Sequence, residues 1–305
     1  MSASTPAPLR TNDPAPAQAP ALAPDTAGPS AGTTVGDDGA QAATSAAVAL
    51  KPLGLLDPLR WLARGWADFR RHPVIGLYYG FAFLTMGWTL LLVFEHAPAY
   101  TLALSAGFLL AGPFVCMGLY YVSRKRERRE RVDFGASLTA WDTRTGTMAI
   151  FGGVLLILEM IWGRAALIVF ALSFDGMPDF KGSITALLQP ENIEFIVAYC
   201  SVGALFAGLI FAISVVSIPM ILDRQVDAVT AGLTSFRVVL NSPGVMLVWG
   251  GLITVLVVLA MLPWFAGLLV VGPVLGHASW HAYRGCVADA ADAEATATDD
   301  DAAAG

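Results

Sequence analysis

The sequence is short of charge. Only 14% of its 305 residues are Asp, Glu, Lys or Arg, against 56% hydrophobic residues, a balance that excludes an ordinary water-soluble globular domain. Cysteine is scarce too: Cys116, Cys200 and Cys286 stand far apart, two of them inside apolar runs, so neither a disulfide framework nor a Cys-x-x-Cys metal pair is available. Catalytic signatures are missing. The chain has no phosphate-cradling glycine loop with lysine, no serine elbow with histidine and acid partners, and no HExxH. Strand-like alternation never extends over barrel lengths, which leaves helices as the spanning element. No apolar stretch follows Met1, so no cleavable signal peptide is expected.

What is present is apolar length. Six runs, at about residues 74–94, 99–123, 148–173, 193–221, 243–262 and 264–283, are long enough to cross roughly 30 Å of hydrocarbon at about 1.5 Å per residue. Pro263 in "MLPWF" divides the last two. Residues 1–50 are mostly Ala, Pro, Thr, Ser and Gly and predict a disordered leader, because they hold too little apolar surface to offset the entropy of ordering. Residues 286–305 predict an acidic disordered tail, leaving 51–285 as the transmembrane domain.

The basic residues are unevenly placed. Sixteen of the 18, Arg10 included, fall on one side of this span map; Lys181 stands alone on the other and Arg164 lies inside the third span. The positive-inside rule therefore puts both termini in the cytoplasm. The run "RKRERRERV" directly follows a span, where its ordinary meaning is a topology determinant that attracts anionic headgroups rather than nucleic acid.

Amphipathic segments precede the odd-numbered spans. In "LLDPLRWLARGWADFRRHP" one face carries Leu55, Leu59, Leu62, Trp66 and Phe69, and the other Asp57, Arg60, Arg64, Asp68 and Arg71; Asp57 before Pro58 predicts an N-cap. "VDAVTAGLTSFRVVLNSP" sets Val226, Val229, Leu233, Phe236 and Leu240 against Asp227, Thr230, Thr234, Arg237 and Asn241. Small-aromatic pairs recur at Gly65-Trp66, Ala140-Trp141 and Ser235-Phe236, each aromatic residue seven positions before Pro73, Met148 or Pro243. The expected fold is an all-α membrane protein of six transmembrane helices arranged as three parallel-repeat hairpins, each preceded by a cytoplasmic interfacial amphipathic helix.

The repeat bears on the histidines. Gly112-Pro113, Tyr120 and Arg124 align with Gly272-Pro273, Trp280 and Arg284, whereas His277 and His281 fall on Met117 and Tyr121. The aromatic residue is expected at headgroup level and the arginine in the cytoplasm. His277 and His281 share a helix face and are weak metal candidates, but His72 and His96 bring no matching pair. Interfacial hydrogen bonds and headgroup contact are expected instead, with no cofactor. Glu159 lies near the midpoint of the third span; Arg164, five residues on, is about 140° away around the helix. Glu159 is thus expected to face the bundle interior as an intramembrane polar site, with Arg164 turned elsewhere.

Four ordered motifs, "GWADFRRHPVIGLYYG", "AGPFVCMGLYYVSR", "SVVSIPMILDRQVDAVTAGLTSFRVVLNSPGVMLVWG" and "GPVLGHASWHAYR", resemble the bacterial integral-membrane family catalogued as domain of unknown function 2189, over roughly residues 51–285. The resemblance implies a six-span inner-membrane protein and no particular activity. Three classes remain open. A non-catalytic scaffold, regulator or assembly factor fits the lack of catalytic groups. A small-molecule or ion permease or channel fits the parallel repeats and the ionisable residues of the third span. A metal- or haem-binding redox protein rests on His277 and His281 alone. The expected partners are the lipid bilayer, with anionic headgroups at the basic loop, and other membrane proteins.

Overall fold

The computed structural model describes residues 48–97, 100–140, 142–173, 190–224 and 226–288. Arg10, Trp141, Lys181 and the expected disordered leader and tail, but for residues 48–50 and 286–288, lie outside the described residues. The helices belong to the unit Val48–Gly305. They are α1 (Asp57–Arg71), α2 (Pro73–His96), α3 (Thr101–Glu127), α4 (Phe134–Leu138), α5 (Thr145–Ser173), α6 (Ile193–Ser214), α7 (Ser217–Asp223), α8 (Ala228–Asn241), α9 (Pro243–Met261) and α10 (Leu268–Cys286). Among the described residues there is no strand, only an isolated antiparallel bridge between Leu50 and Val287.

Four helical stretches are long and apolar enough to cross a membrane: α2, α5, α6 continued by α7, and α9. Helices α3 and α10, with 27 and 19 residues, occupy the other two expected runs but are less apolar. Their placement explains this. From Pro273 to Cys286 most of α10 is buried against α1, α2 and α3, so His277, Ser279 and His281 meet protein rather than hydrocarbon.

Helices α1 and α2 meet in the same joint as α8 and α9. His72 (φ −127°, ψ 59°) and Ser242 (φ −136°, ψ 57°) each precede a proline that starts the next helix. The ring of the following proline bars the preceding residue from the helical region, so the first helix must stop, while proline's fixed φ suits the first position of the second.

The faces of α1 and α8 differ from expectation. The stripe of α1 turned to protein is Trp61, Gly65, Asp68 and Phe69, whereas Leu55, Leu59 and Trp66 are exposed. On α8, Ala231, Thr234, Ser235 and Val238 are buried and Val229, Leu233 and Leu240 exposed. Asp68 and Thr234 therefore do not belong to a solvated face. A helix at a membrane surface has two partners besides water, lipid and protein, and much of the regular large apolar stripe is here left open, while the protein contact combines small residues such as Gly65, Ala231 and Ser235 with Trp61 and Phe69. Asp57 is not a cap either: it lies within α1 after Leu56 and accepts from Gly54 N–H at 2.8 Å. Asp227 does cap, accepting from Val229 and Thr230 N–H at 3.0 Å each.

The third interfacial helix expected before the span at 148–173 is replaced by α4, five residues capped by Asp133, and a 3-10 turn at Asp142–Arg144. At about 3.6 residues per turn such a piece is too short to present an apolar stripe. The run at 193–221 is broken at Val215–Val216 between α6 and α7. Between α9 and α10 the helix stops at Met261, two residues before Pro263. Trp264 and Phe265 there take φ of 54° and 64°, the left-handed region that bulky residues rarely adopt; the Trp264 carbonyl accepts from Trp88 Nε1–H at 2.8 Å. The two ends of the body are paired, Lys51 N–H donating to Cys286 O and Ala288 N–H to Ala49 O, both at 2.9 Å.

Candidate functional site

Gly65 sets the site. A Cβ there would come within 2.6 Å of both Val274 O and Ala278 N, so α1 lies with its backbone directly against α10, an approach only glycine permits. One turn further on, Asp68 is carried beneath α3 and α10 and is 4% exposed. Its carboxylate accepts from Ser123 Oγ at 2.6 Å, from His281 Nε2 at 2.9 Å and from the Arg126 guanidinium. His277, 0% exposed, places Nδ1 2.8 Å from the same Ser123 Oγ. Since Ser123 gives its one proton to Asp68, its oxygen must accept, and His277 Nδ1 carries the hydrogen. His277 Nε2 is then a bare, buried acceptor, and it meets no partner among the described residues.

Burial alone would raise the Asp68 carboxyl, but the hydrogen bonds from His281 and Ser123 outweigh it and hold the group below its ordinary 3.8. One carboxylate thus ties together α1, α3 and α10, helices far apart in sequence. This is an anchoring arrangement.

The ends of α3 and α10 are also engaged within the protein, which corrects their expected roles at the headgroups. Trp280 is 1% exposed and donates to Glu127 at 3.0 Å. Arg284 pairs with Glu127 at 3.0 Å, and Arg124 donates to Leu222 O at 3.0 Å. Tyr283 OH donates to Asp223 at 2.9 Å while accepting from Arg224 Nε at 3.0 Å. His277 and His281 likewise contact Ser123 and Asp68 rather than headgroups. The arginine ends of the two Gly-Pro…Arg motifs thus bond within the protein. Among the described residues no group of three or more His, Cys, Asp or Glu side chains is placed to hold a metal ion.

Glu159 lies at the midpoint of α5 (Thr145–Ser173) and is 8% exposed; Oε1 has no partner among the described residues. Tyr199 of α6 packs edge-on to Trp162, one turn along α5, at 6.4 Å. Arg164 is on an exposed face, so the structure does not bring the two together. Sequence reasoning missed Asp68, Ser123 and Arg126. The only trace was the glycine three residues before Asp68, a close-packing residue on the wrong face for a solvated acid.

A family model described as a predicted integral membrane protein (DUF2189) matches residues 101–223. The match covers a narrower stretch than the motifs read along the sequence, from α3 through α7, and its description, a predicted integral membrane protein, assigns no activity. Neither the curated proteins nor the solved structures yield a match.

Proposed function

We propose that the chain is a six-span protein of the bacterial inner membrane, both termini cytoplasmic, that works as a non-catalytic scaffold, regulator or assembly factor. The seating of the interfacial segments supports the architecture. Helix α1 rests on α10 at Gly65. Helix α4 rests on α3, where Gly118 faces the Ser137 carbonyl. Helix α8 rests on α6, with Ser235 Oγ donating to Ala212 O at 2.7 Å. Each segment thus precedes one hairpin and sits on the second helix of the hairpin before it, the first closing the ring onto the last. Gly118 and Ala278 occupy equivalent positions in the two Gly-Pro motifs, and the ring needs α3 and α10 as full members. The pairing of residues 49–51 with 286–288 supports one face for both ends, as an even number of spans requires.

The non-catalytic reading is carried by one observation: His277 and His281, the pair whose spacing suggests a metal or haem, are bonded to Ser123 and Asp68. Protein purified from native membranes should therefore show no Soret band and no stoichiometric transition metal, and should bring a membrane-protein partner with it in fixed ratio. Bound metal that disappears in His277→Ala would overturn this reading in favour of a redox protein.

A second reading, an ion permease, is favoured by Glu159 at mid-helix, whose Oε1 has no partner among the described residues, since an intramembrane carboxyl is costly unless paired, hydrated or protonated and so marks an ion or proton path. Flux in proteoliposomes that vanishes in a folded Glu159→Gln protein would support it; no flux from the unaltered protein would remove it.

A further inference from the structure

Because α4 stops after five residues, the stretch of α3 that a longer interfacial helix would cover is left open. A groove of about 610 Å³ lies there, walled by Tyr78 and Ala82 of α2, Phe114 and Val115 of α3, and Ala149 of α5, with Ser137 of α4 at one end. Phe114 and Val115 stand at the middle of α3, whereas Ser137 and the start of α5 belong to the basic-loop end. The groove therefore runs from hydrocarbon depth to the surface, apolar at the first and polar at the second. At the surface end Tyr79 OH donates to Ser137 Oγ at 3.1 Å, and Phe134 meets Tyr78 edge-on at 5.0 Å.

Charge distinguishes this end. Residues 124–144 hold seven basic and four acidic side chains. Arg124, Lys125, Arg126 and Arg128 are bonded to groups of the protein itself. Glu127 is taken by Trp280 and Arg284, Glu130 by Lys125, and Asp133 by the N-terminus of α4. What remains is Arg129, Arg131 and Arg144, with no ion pair among the described residues, against the single exposed carboxylate of Asp142. Arg144 immediately precedes Thr145, which lines the groove.

We propose that this groove holds one acyl chain of an anionic phospholipid from the surrounding bilayer, with its phosphate at Arg144. The apolar wall recognises the chain, and the Arg144 guanidinium selects the headgroup charge. The six-span reading enters in placing the middle of α3 at hydrocarbon depth and in assigning the lipid to the cytoplasmic leaflet.

The test uses full-length protein reconstituted in nanodiscs of equal parts phosphatidylglycerol and phosphatidylethanolamine, then extracted gently and its retained lipid counted by mass spectrometry. Retained phosphatidylglycerol should exceed phosphatidylethanolamine by about fivefold, the effect of one basic group near an anionic headgroup. Ala149→Trp, which fills the groove, should abolish retention, with Ala82→Leu from the opposite wall as a milder block should the first variant not fold. Arg144→Gln should keep the lipid and lose the preference, while Arg64→Gln, on the exposed face of α1, should change neither. Retention in the bulk ratio, or a preference untouched by both groove-filling variants and by Arg144→Gln, would overturn the proposal. A reporter fused near residue 130 that reads periplasmic while the preference persists would instead overturn the leaflet assignment and the six-span reading, and leave the lipid site standing.

Discussion

Asp68 shows how a charge can be buried at a membrane surface. Taking a carboxylate out of water is compensated only when its oxygens find donors, and Ser123, His281 and Arg126 supply three. Asp68→Asn keeps the shape but leaves the Arg126 guanidinium and the His281 ring facing an amide, so it should cost about 3 kcal/mol, read as a lowered melting temperature in detergent. The pH dependence follows from the depressed folded value. The contribution of the carboxylate is complete above its ordinary 3.8 and is lost as pH falls through the lower value it has in the fold. Acidification through that window should thus destabilise the unaltered protein more than Asp68→Asn; parallel melting curves would show that the carboxylate is not held as described. Ser123→Ala should cost about 1–3 kcal/mol by stranding the His277 N–H. None of this was legible in the sequence. Helical periodicity put Asp68 opposite the large apolar side chains, and nothing in a lone Ser123 announces a partner more than fifty residues away, whereas His277 and His281 stood out because their spacing places them on one face.

At the level of the element, the distances between helices are set by missing side chains. Adding a Cβ at Gly65 would drive it to 2.6 Å from two backbone atoms of α10, neither of which can swing aside. Gly65→Ala should therefore destabilise by about 1–3 kcal/mol, although alanine is the better helix former. Gly251 in α9 is the control, since a Cβ added there would meet nothing within 4 Å, and Gly251→Ala should be neutral or stabilising by up to about 1 kcal/mol. Equal melting temperatures for the two variants would mean that α1 does not rest on α10. Helix positions were readable from apolar length, because that length must match the bilayer. The joints at His72 and Ser242 were readable from the prolines after them. The break at Val215–Val216 lies just before Pro219, which lacks the N–H that the Val215 carbonyl would accept in a continuous helix, and Ser235 Oγ accepts the Val216 N–H at 3.4 Å. The middle interfacial helix was over-read, because a recurring seven-residue spacing fixes where an aromatic residue lies and not how far a helix extends.

At the level of the whole molecule, the proposed ring of three segments on three hairpins accounts for the uneven hydropathy of the long helices. Spans at the edge of the bundle face lipid along much of their length and must be apolar; α10, surrounded by α1, α2 and α3, can carry histidine and serine in its core-facing half. Hydropathy by itself therefore singles out four spans where the seating of the interfacial segments calls for six. The difference is decided by which side of the membrane each loop occupies. Reporter fusions placed after residue 96 and near residue 181 should read periplasmic, and fusions near residues 130, 230 and 290 should read cytoplasmic. A periplasmic reading at residue 130 would contradict the account, because α3 would then not cross the membrane between the loops assigned to its two ends.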